Sequence, residues 1–253
     1  MGSTVFEVKD KVVCIIEARM ASTRLPGKVL KDIGGRNSLE HIINRIKSLG
    51  KISEICLATT TGTEDQMIIE LAKSLGVKHY RGSEHDVLSR LLGAAEMLSA
   101  EIIVEITGDC PFVDPIMVDQ YIEIIKSNNL DYVSNNIVST YPDGFDVQVF
   151  LTKALKKSSS MAITREEREH VTMHIRQNPQ IFKTQNIVAP KSYRYPEMSV
   201  TLDTKEDLEV LRLIADHFKD IELPSHTRII DFLLANPEIC QINSGIERKG
   251  FGI

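Results

Sequence analysis

The chain has 253 residues, of which 42% are hydrophobic and 26% are charged, and its formal net charge is −5. This composition is that of an ordinary globular protein and does not favour a disordered or a membrane-spanning one. The acidic balance argues against broad nucleic-acid binding, which normally requires a surplus of basic residues. The first ten residues show no basic segment followed by an apolar core, so we expect a cytoplasmic protein.

An apolar run near the start of the chain leads directly into a basic segment. Residues 12–16 are mostly β-branched, which is typical of a central strand buried on both faces of a parallel sheet. The segment that follows carries Arg19, Arg24 and Lys28 among small residues and contains the turn signal Pro26-Gly27. Because loops at the carboxyl ends of such strands bind ligands, three cations there predict a site for a polyanion such as a triphosphate. The alternative is a solvated basic loop without a ligand.

The first half of the chain alternates short β-branched runs with amphipathic helical segments. Ser38 is the predicted N-cap of the first helix. The predicted strands are residues 55–59, 77–80 and 102–106, and the predicted helices are residues 39–49, 63–75 and 84–98. This alternation predicts an α/β fold with a Rossmann-like, mostly parallel open sheet flanked by helices.

From about residue 131 to residue 197 the pattern is less regular, which predicts a small inserted α+β lobe. We expect strands at residues 132–134, 147–150 and 182–188 and one helix around residues 165–176. These strands have no obvious partners, so we expect the insert to mediate pairing across the two-fold axis of a homodimer. The regular pattern then returns with a strand at residues 198–202, a helix ending at Phe218 and a last helix near residues 227–234. We therefore expect one domain over residues 10–253, preceded by a loose lead-in at residues 1–9.

Two aspartates follow apolar runs and so can meet the basic loop at one edge of the sheet. Asp109 comes shortly after the strand at 102–106, and Asp203 directly follows the run at 198–202. Two carboxylates opposite a basic loop suit a Mg²⁺ ion bridging a nucleoside triphosphate, because Mg²⁺ takes few protein carboxylates and completes its shell with phosphates and water. The alternative for each aspartate is that it caps the helix that follows.

Other candidates each have a structural alternative. Glu169 and His170 lie in the helix of the insert, where a histidine is more often structural than catalytic. Asp143 and Asp146 flank a glycine in a turn, which local turn chemistry alone explains. Ser83 lies between a strand and a helix, either as the N-cap of that helix or within a base-recognition loop.

Six blocks of the chain, taken together and in order, resemble the CMP-sugar synthetase family, the acylneuraminate and 3-deoxy-octulosonate cytidylyltransferases. Within that family the likeness is strongest to the spore-coat polysaccharide cytidylyltransferase branch. The blocks are IIEARMASTRLPGKVL after residue 14, RGSEHDVLSR at 81–90, ITGDCPFVDP at 106–115, YPDGFDVQVF at 141–150, REHVT at 168–172 and TLDTKEDLE at 201–209.

The resemblance implies a nucleotide-diphospho-sugar transferase type of fold, a homodimer and a Mg²⁺-dependent nucleotidyltransferase. Such an enzyme converts CTP and an acidic acceptor into a CMP conjugate and pyrophosphate. It implies catalytic roles for Arg19, Lys28 and Asp109, with Arg24 as a supporting triphosphate contact and Asp109 and Asp203 as metal ligands. It further implies that Ala18, Ser83, Asp86 and Arg90 bind the nucleotide and that Asp143, Asp146, Glu169 and His170 bind the acceptor.

Two residues depart from the pattern of the branch. Glu17 stands where glutamine is common, and a carboxylate there would repel phosphate unless it pairs with an arginine or a metal. His85 stands where an acidic residue is usual, which leaves the choice of base open. The alternatives are a nucleotidyltransferase with another base such as GTP, one with a phosphate or phosphonate acceptor, and a non-catalytic nucleotide-binding subunit.

Overall fold

The computed structural model describes residues 10–221 and 223–248, so the predicted lead-in at residues 1–9 lies outside the described residues. The strands are β1 (Val12–Glu17), β2 (Glu54–Thr60), β3 (Lys78–Gly82), β4 (Ile102–Thr107), β5 (Tyr132–Ser134), β6 (Gln148–Leu151) and β7 (Thr184–Asn186). The helices are α1 (Ser38–Lys47), α2 (Gln66–Ser74), α3 (Val87–Met97), α4 (Pro115–Asn128), α5 (Thr152–Met161), α6 (Arg165–Glu169), α7 (Met173–Gln177), α8 (Lys205–His217), α9 (His226–Ala235) and α10 (Pro237–Asn243).

All seven of these strands form one sheet in the order β3-β2-β1-β4-β6-β5-β7. Neighbouring strands are parallel except β6, which runs antiparallel to both β4 and β5. The structure therefore confirms the predicted mostly parallel open sheet, with β1 near its centre. Among the described residues, no helix combines the length and the apolar character needed to cross a membrane.

The two faces of β1 belong to two different apolar layers. Val12, Cys14 and Ile16 pack into the larger layer, together with residues of α1, α4, α8 and α9. Val13 and Ile15 pack into the smaller layer, together with residues of α3, α5 and α7. All five side chains are fully buried. Burial on both faces explains why this strand is a continuous apolar run rather than an alternating one.

The strands of the predicted insert have partners within this chain. β6 pairs with β4 and with β5, and β5 pairs with β7, so these strands extend the central sheet. The expectation that these strands lack partners is wrong. Runs of three or four residues are too short to show which strand of the sheet they pair with. The expected helix at 165–176 is wrong in its continuity, since α6 ends at Glu169 and α7 begins at Met173. The homodimer stays a prediction.

The expected strand at residues 198–202 is also wrong, although this segment is buried. Its only ladder contact among the described residues is an isolated bridge between Ser199 and Asp143. Val200 N donates to the Asp143 carbonyl at 2.7 Å. A side chain at Gly144, where φ is 103°, would place a Cβ 2.6 Å from the carbonyl carbon of Val200, so only glycine permits this approach. The apolar pattern here reflects burial of Val200 and Leu202 and not strand pairing.

Candidate active site

One cleft of about 390 Å³ opens at the carboxyl ends of β1 and β4, where α/β sheets bind ligands. Its walls come from the basic loop after β1, the first turn of α3, the end of β4, residue 148 of β6 and the connection between α6 and α7. Nine predicted site residues line it: Ala18, Arg19, Arg24, Lys28, Arg90, Asp109, Glu169, His170 and Asp203.

The basic loop is folded back on itself and tied to the end of β2. Gly27 N and Ser22 N both donate to the Met20 carbonyl at 2.9 Å. Gly27 takes the left-handed conformation with φ 66°, which favours glycine, and a short 3-10 turn over Lys28–Leu30 follows it. Met20 N donates to Asp65 Oδ1 at 2.7 Å, and the Asp65 carboxylate is itself buried. No local sequence pattern marks Asp65 as the anchor of this loop.

Lys28 lies between the two predicted metal aspartates. Its Nζ is 2.6 Å from Asp109 Oδ2 and 2.8 Å from Asp203 Oδ1. Arg24 Nη2 contacts the other oxygen of Asp203 at 2.7 Å. Burial alone would raise the pKa of Asp109, but the Lys28 ammonium outweighs it and the pKa lies below its usual value. Burial would likewise lower the pKa of Lys28, and the two carboxylates instead hold it above its usual value.

Asp203 is available to the cleft because the next residue caps α8. Thr204 accepts from Asp207 N and Asp207 accepts from Thr204 N, which forms a capping box. Leu202 N donates to the Asp109 carbonyl at 2.8 Å and brings the two aspartates together. The N-cap alternative is therefore wrong for Asp203. It is also wrong for Asp109, since Asp114 caps the helix that follows, α4.

Only part of the predicted nucleoside block, residues 81–90, lines the cleft. Arg90 is buried, lines the cleft and donates from Nη1 to the Ser83 carbonyl at 2.6 Å. Asp86, not Ser83, caps α3, and its carboxylate also contacts Arg168 at 3.4 Å. The N-cap alternative for Ser83 is wrong, as is Ser38 for α1, where Asn37 provides the cap. The nucleotide-binding roles of Ser83 and Asp86 stay predictions.

Arg19 is the most exposed of the predicted triphosphate residues. Its Nη1 lies 3.5 Å from Glu84 Oε1, and both side chains are more than 40% exposed. An exposed pair of this kind holds its partners only weakly, so Arg19 can turn towards a ligand in the cleft. His85, the second departure from the family pattern, is exposed beside this pair.

The predicted acceptor residues divide into two groups. Glu169 and His170 line the cleft at the connection between α6 and α7. Asp143 and Asp146 are not among the residues that line it, but both lie near Asp109. Burial raises the pKa of both carboxyls, and the charge of Asp109 adds to the increase; the charge of Asp146 also raises the pKa of Asp143, whereas a hydrogen bond from Asp143 lowers that of Asp146. The acceptor roles of all four residues stay predictions.

Several polar residues of the cleft were missed. Glu105 of β4, Gln148 of β6 and Thr172 are each less than 8% exposed and line its inner wall. Gln148 Oε1 accepts from Tyr132 Oη at 2.7 Å and from Thr172 Oγ1 at 2.6 Å, which fixes the orientation of its amide. A signal for Glu105 was present in the sequence, because it interrupts the otherwise apolar run Ile-Ile-Val-Glu-Ile.

Comparison with known proteins gives similarities along nearly the whole chain. Residues 13–229 match the family model described as cytidylyltransferase. An uncharacterized protein of Methanocaldococcus jannaschii is 39% identical over 242 residues, which cover 95% of this chain and 98% of that protein. The spore coat polysaccharide biosynthesis protein SpsF of Bacillus subtilis is 31% identical over 234 residues, which cover 90% of this chain and 96% of SpsF.

A solved structure of a cytidylyltransferase from Leptospira borgpetersenii serovar Hardjo-bovis superposes with a TM-score of 0.87. That protein is 32% identical, and the match covers 94% of this chain and 100% of its own. These matches confirm the resemblance carried by the six sequence blocks. The matched residues extend well beyond the basic loop.

Proposed function

Because the chain belongs to the cytidylyltransferase family, we propose that it transfers CMP from CTP to an acidic sugar or related acceptor with release of pyrophosphate. The proposed setting is surface glycoconjugate biosynthesis, which the spore coat function named for SpsF supports. The observation that carries the proposal is the convergence of Lys28 with Asp109 and Asp203 in the cleft. The cations that would bind a triphosphate and the carboxylates that would bind a metal therefore lie close enough together to contact the same ligand.

In the proposed reaction an acceptor oxygen attacks the α-phosphorus of CTP. A bond forms between that oxygen and the α-phosphorus, while the bond to the bridging oxygen breaks and pyrophosphate leaves with the electron pair. Where the acceptor oxygen belongs to a hydroxyl, its proton passes to solvent. Arg19, Arg24 and Lys28 would hold the triphosphate and neutralise the charge that develops on pyrophosphate. Glu169 and His170 would contact the acceptor at the other side of the cleft. Catalysis would consist mainly of positioning and electrostatic stabilisation.

The side-chain chemistry of Asp109 and Asp203 suits a magnesium ion. Both are carboxylates, the oxygen ligands that Mg²⁺ prefers, and both already contact the cationic Lys28. When bound, Mg²⁺ would supply charge stabilisation for the phosphate oxygens. Because Lys28 contacts both carboxylates, its ammonium would move to the phosphates as the nucleotide binds and leave the carboxylates open.

The test is a pyrophosphate-release screen with CTP or GTP against a panel of acceptors, with and without Mg²⁺. The panel contains sialic-type acids, octulosonates, sugar phosphates and phosphonates. We expect release with CTP, Mg²⁺ and an acidic sugar. Release with GTP alone would identify a different base, and binding of CTP without release for any acceptor would favour a non-catalytic subunit.

We also propose that the protein acts in the cytoplasm as a homodimer, with the surface of the predicted insert, residues 131–197, as the contact. Exposed apolar side chains in this region support the contact: Val138, Met161, Ile163 and Val188. Light scattering of the purified chain, with Ile163→Asp as the disrupting variant, tests the dimer. A monomeric wild-type chain would contradict it.

A further inference from the structure

The segment that follows α10, residues 244–248, lies beside the basic loop and the first turn of α8. Arg248 donates from Nη1 to Asp207 Oδ2 at 3.0 Å and from Nη2 to Asp207 Oδ1 at 2.6 Å. Two parallel bonds of this kind are the strong and geometrically specific form of an arginine–carboxylate pair. The neighbouring Glu247 carbonyl accepts from Arg24 Nη1 at 3.5 Å. The segment therefore contacts two elements that meet at the cleft.

Asp207 is the buried link between Arg248 and Asp203. The Asp207 side chain is fully buried, and its Oδ2 accepts from Asp203 N at 3.0 Å and from Thr204 N at 2.9 Å. A buried carboxylate keeps its charge only when it is paired and hydrogen-bonded, and Arg248 supplies the opposite charge. Arg248 thereby stabilises the charged oxygen that holds the main chain of Asp203.

Arg24 connects the same segment to the side chain of Asp203. Arg24 Nη2 contacts Asp203 Oδ2 at 2.7 Å, while Arg24 Nη1 donates to the Glu247 carbonyl. Asp203 is thus held at its main chain through Asp207 and at its carboxylate through Arg24, and residues 244–248 contact both of these partners. If Arg24 turned to a bound triphosphate, the contact through Asp207 would still hold Asp203 in place.

The helix before this segment, α10, has contacts of its own that attach it to the core. Asn243, its last residue, donates from Nδ2 to Asp207 Oδ1 at 2.8 Å and to the Ser199 carbonyl at 3.2 Å. Ile239 of the same helix is buried in the larger apolar layer. Because these contacts already hold α10 against α8, attachment of the helix does not by itself explain the ion pair of Arg248.

We propose that Arg248 is a positioning residue for Asp203, the proposed metal ligand, and so strengthens the binding of CTP with Mg²⁺, an inference that rests on the proposed function. Arg248 is not among the residues that line the cleft, so it acts through Asp207 and not on the ligand itself. A carboxylate whose main chain is fixed in advance loses less conformational freedom when it binds a metal. Residues that orient metal ligands from outside the site contribute to metal affinity in this way.

The experiment measures the dissociation constant of CTP by titration calorimetry, once with Mg²⁺ and once with EDTA, without an acceptor. The variants are Arg248→Met, which removes the charge, and Arg248→Lys, which keeps the charge but cannot form two parallel bonds. The matched control is Arg212→Met, at an exposed arginine of α8 that donates to the Asp32 carbonyl.

The gain in CTP affinity that Mg²⁺ provides should fall by about tenfold or more in Arg248→Met and by less in Arg248→Lys. The CTP affinity measured with EDTA should stay at the wild-type value in both, because the positioned carboxylate serves the metal. Arg212→Met should keep the full gain. An unchanged gain in both Arg248 variants would overturn this inference and leave the proposed function standing.

A double-mutant cycle separates positioning from a general loss of structure. Arg248→Met is combined with Asp203→Asn, and Arg248→Lys takes its place if the melting temperature shows that Arg248→Met does not fold. Because Arg248 acts through Asp203, its substitution should change CTP affinity by less than about twofold in the Asp203→Asn background. An equal loss in both backgrounds would show a structural role and overturn the inference. Wild-type protein that binds no CTP with or without Mg²⁺ would refute the proposed function as well.

Discussion

The charged side chains at the two ends of the cleft are paired to different degrees. At the basic loop, Lys28 and Arg24 are paired with Asp109 and Asp203 at distances of 2.6–2.8 Å. At the inner wall formed by Glu17, Glu105 and Arg90, which we call the Glu17–Glu105–Arg90 wall, the closest approach of Arg90 to Glu17 is 3.9 Å, and burial raises the pKa of both carboxyl groups. One end must therefore break existing ion pairs to take a ligand, whereas the other end holds buried carboxyl groups whose charged form is unfavourable.

This difference fits two kinds of ligand group. A triphosphate with its metal carries several charges of both signs. It can therefore replace the partners in the existing ion pairs with little change in the net charge of the site. The Glu17–Glu105–Arg90 wall carries little free charge and so favours a neutral part of a ligand over a phosphate. The two ends of the cleft should therefore respond differently to substitution and to pH.

The largest effect is expected from Asp109→Asn, which removes one charge from the paired end. Pyrophosphate release should fall by about 10³-fold or more, because Asp109 would hold the Mg²⁺ ion that stabilises negative charge on the reacting phosphates. The variant should remain folded, since asparagine has nearly the same shape. Asp119→Asn, at a surface ion pair with Lys51, is the matched control and should keep full activity. Wild-type activity in Asp109→Asn would contradict the assignment of this end.

Lys28→Ala should lower pyrophosphate release by about 10²-fold, by analogy with the loss of one transition-state contact. The same change removes the ammonium from between Asp109 and Asp203 and leaves two adjacent carboxylates. In the absence of nucleotide, binding of Mn²⁺, followed by electron paramagnetic resonance, should therefore be tighter in Lys28→Ala than in the wild type. The exposed Lys73→Ala serves as the control. Equal Mn²⁺ binding would show that Lys28 does not compete with the metal.

The two ends should also respond to pH with opposite signs. The pKa of Asp109 is lowered in the folded protein, so its stabilising contribution is present above the unfolded pKa and is lost as the pH falls. The pKa of Glu105 is raised, so its contribution is present below the unfolded pKa and is lost as the pH rises. The melting temperature of Glu105→Gln should therefore gain on that of the wild type, by a few degrees, between about pH 5 and pH 8. A difference that is constant with pH would contradict a raised pKa at Glu105.

The paired end of the cleft was predictable and the Glu17–Glu105–Arg90 wall was not. Residues 12–16 have a continuous apolar pattern that only a central strand explains, and Asp109 follows a run of the same kind. The ends of parallel neighbouring strands must meet, so local pattern and topology were enough to place Lys28 near Asp109. The contact between Glu17 and Arg90 depends instead on how α3 packs against β1, which no local pattern shows.

The missed elements have identifiable causes. α4 and α10 each begin at a proline that follows an aspartate or asparagine, Asp114 and Asn236, which is a known start signal that the predictions did not use. The segment at residues 198–202 was predicted as a strand because burial in a core produces the same apolar pattern as a sheet. Caps were misplaced by one to three residues, because adjacent polar residues such as Asn37 and Ser38 compete for that position.

The smallest effect is expected at Thr204, whose side chain caps α8 and so leaves Asp203 available to the cleft. Thr204→Ala removes the side chain that accepts from Asp207 N and should lower the free energy of unfolding by about 1 kcal/mol, measured by urea denaturation. Thr204→Ser keeps the hydroxyl and should retain most of that stability. Because the vacant cap favours Asp203 as a substitute, Thr204→Ala should also weaken CTP binding. Unchanged CTP binding in Thr204→Ala would contradict the role of this cap in keeping Asp203 available to the cleft.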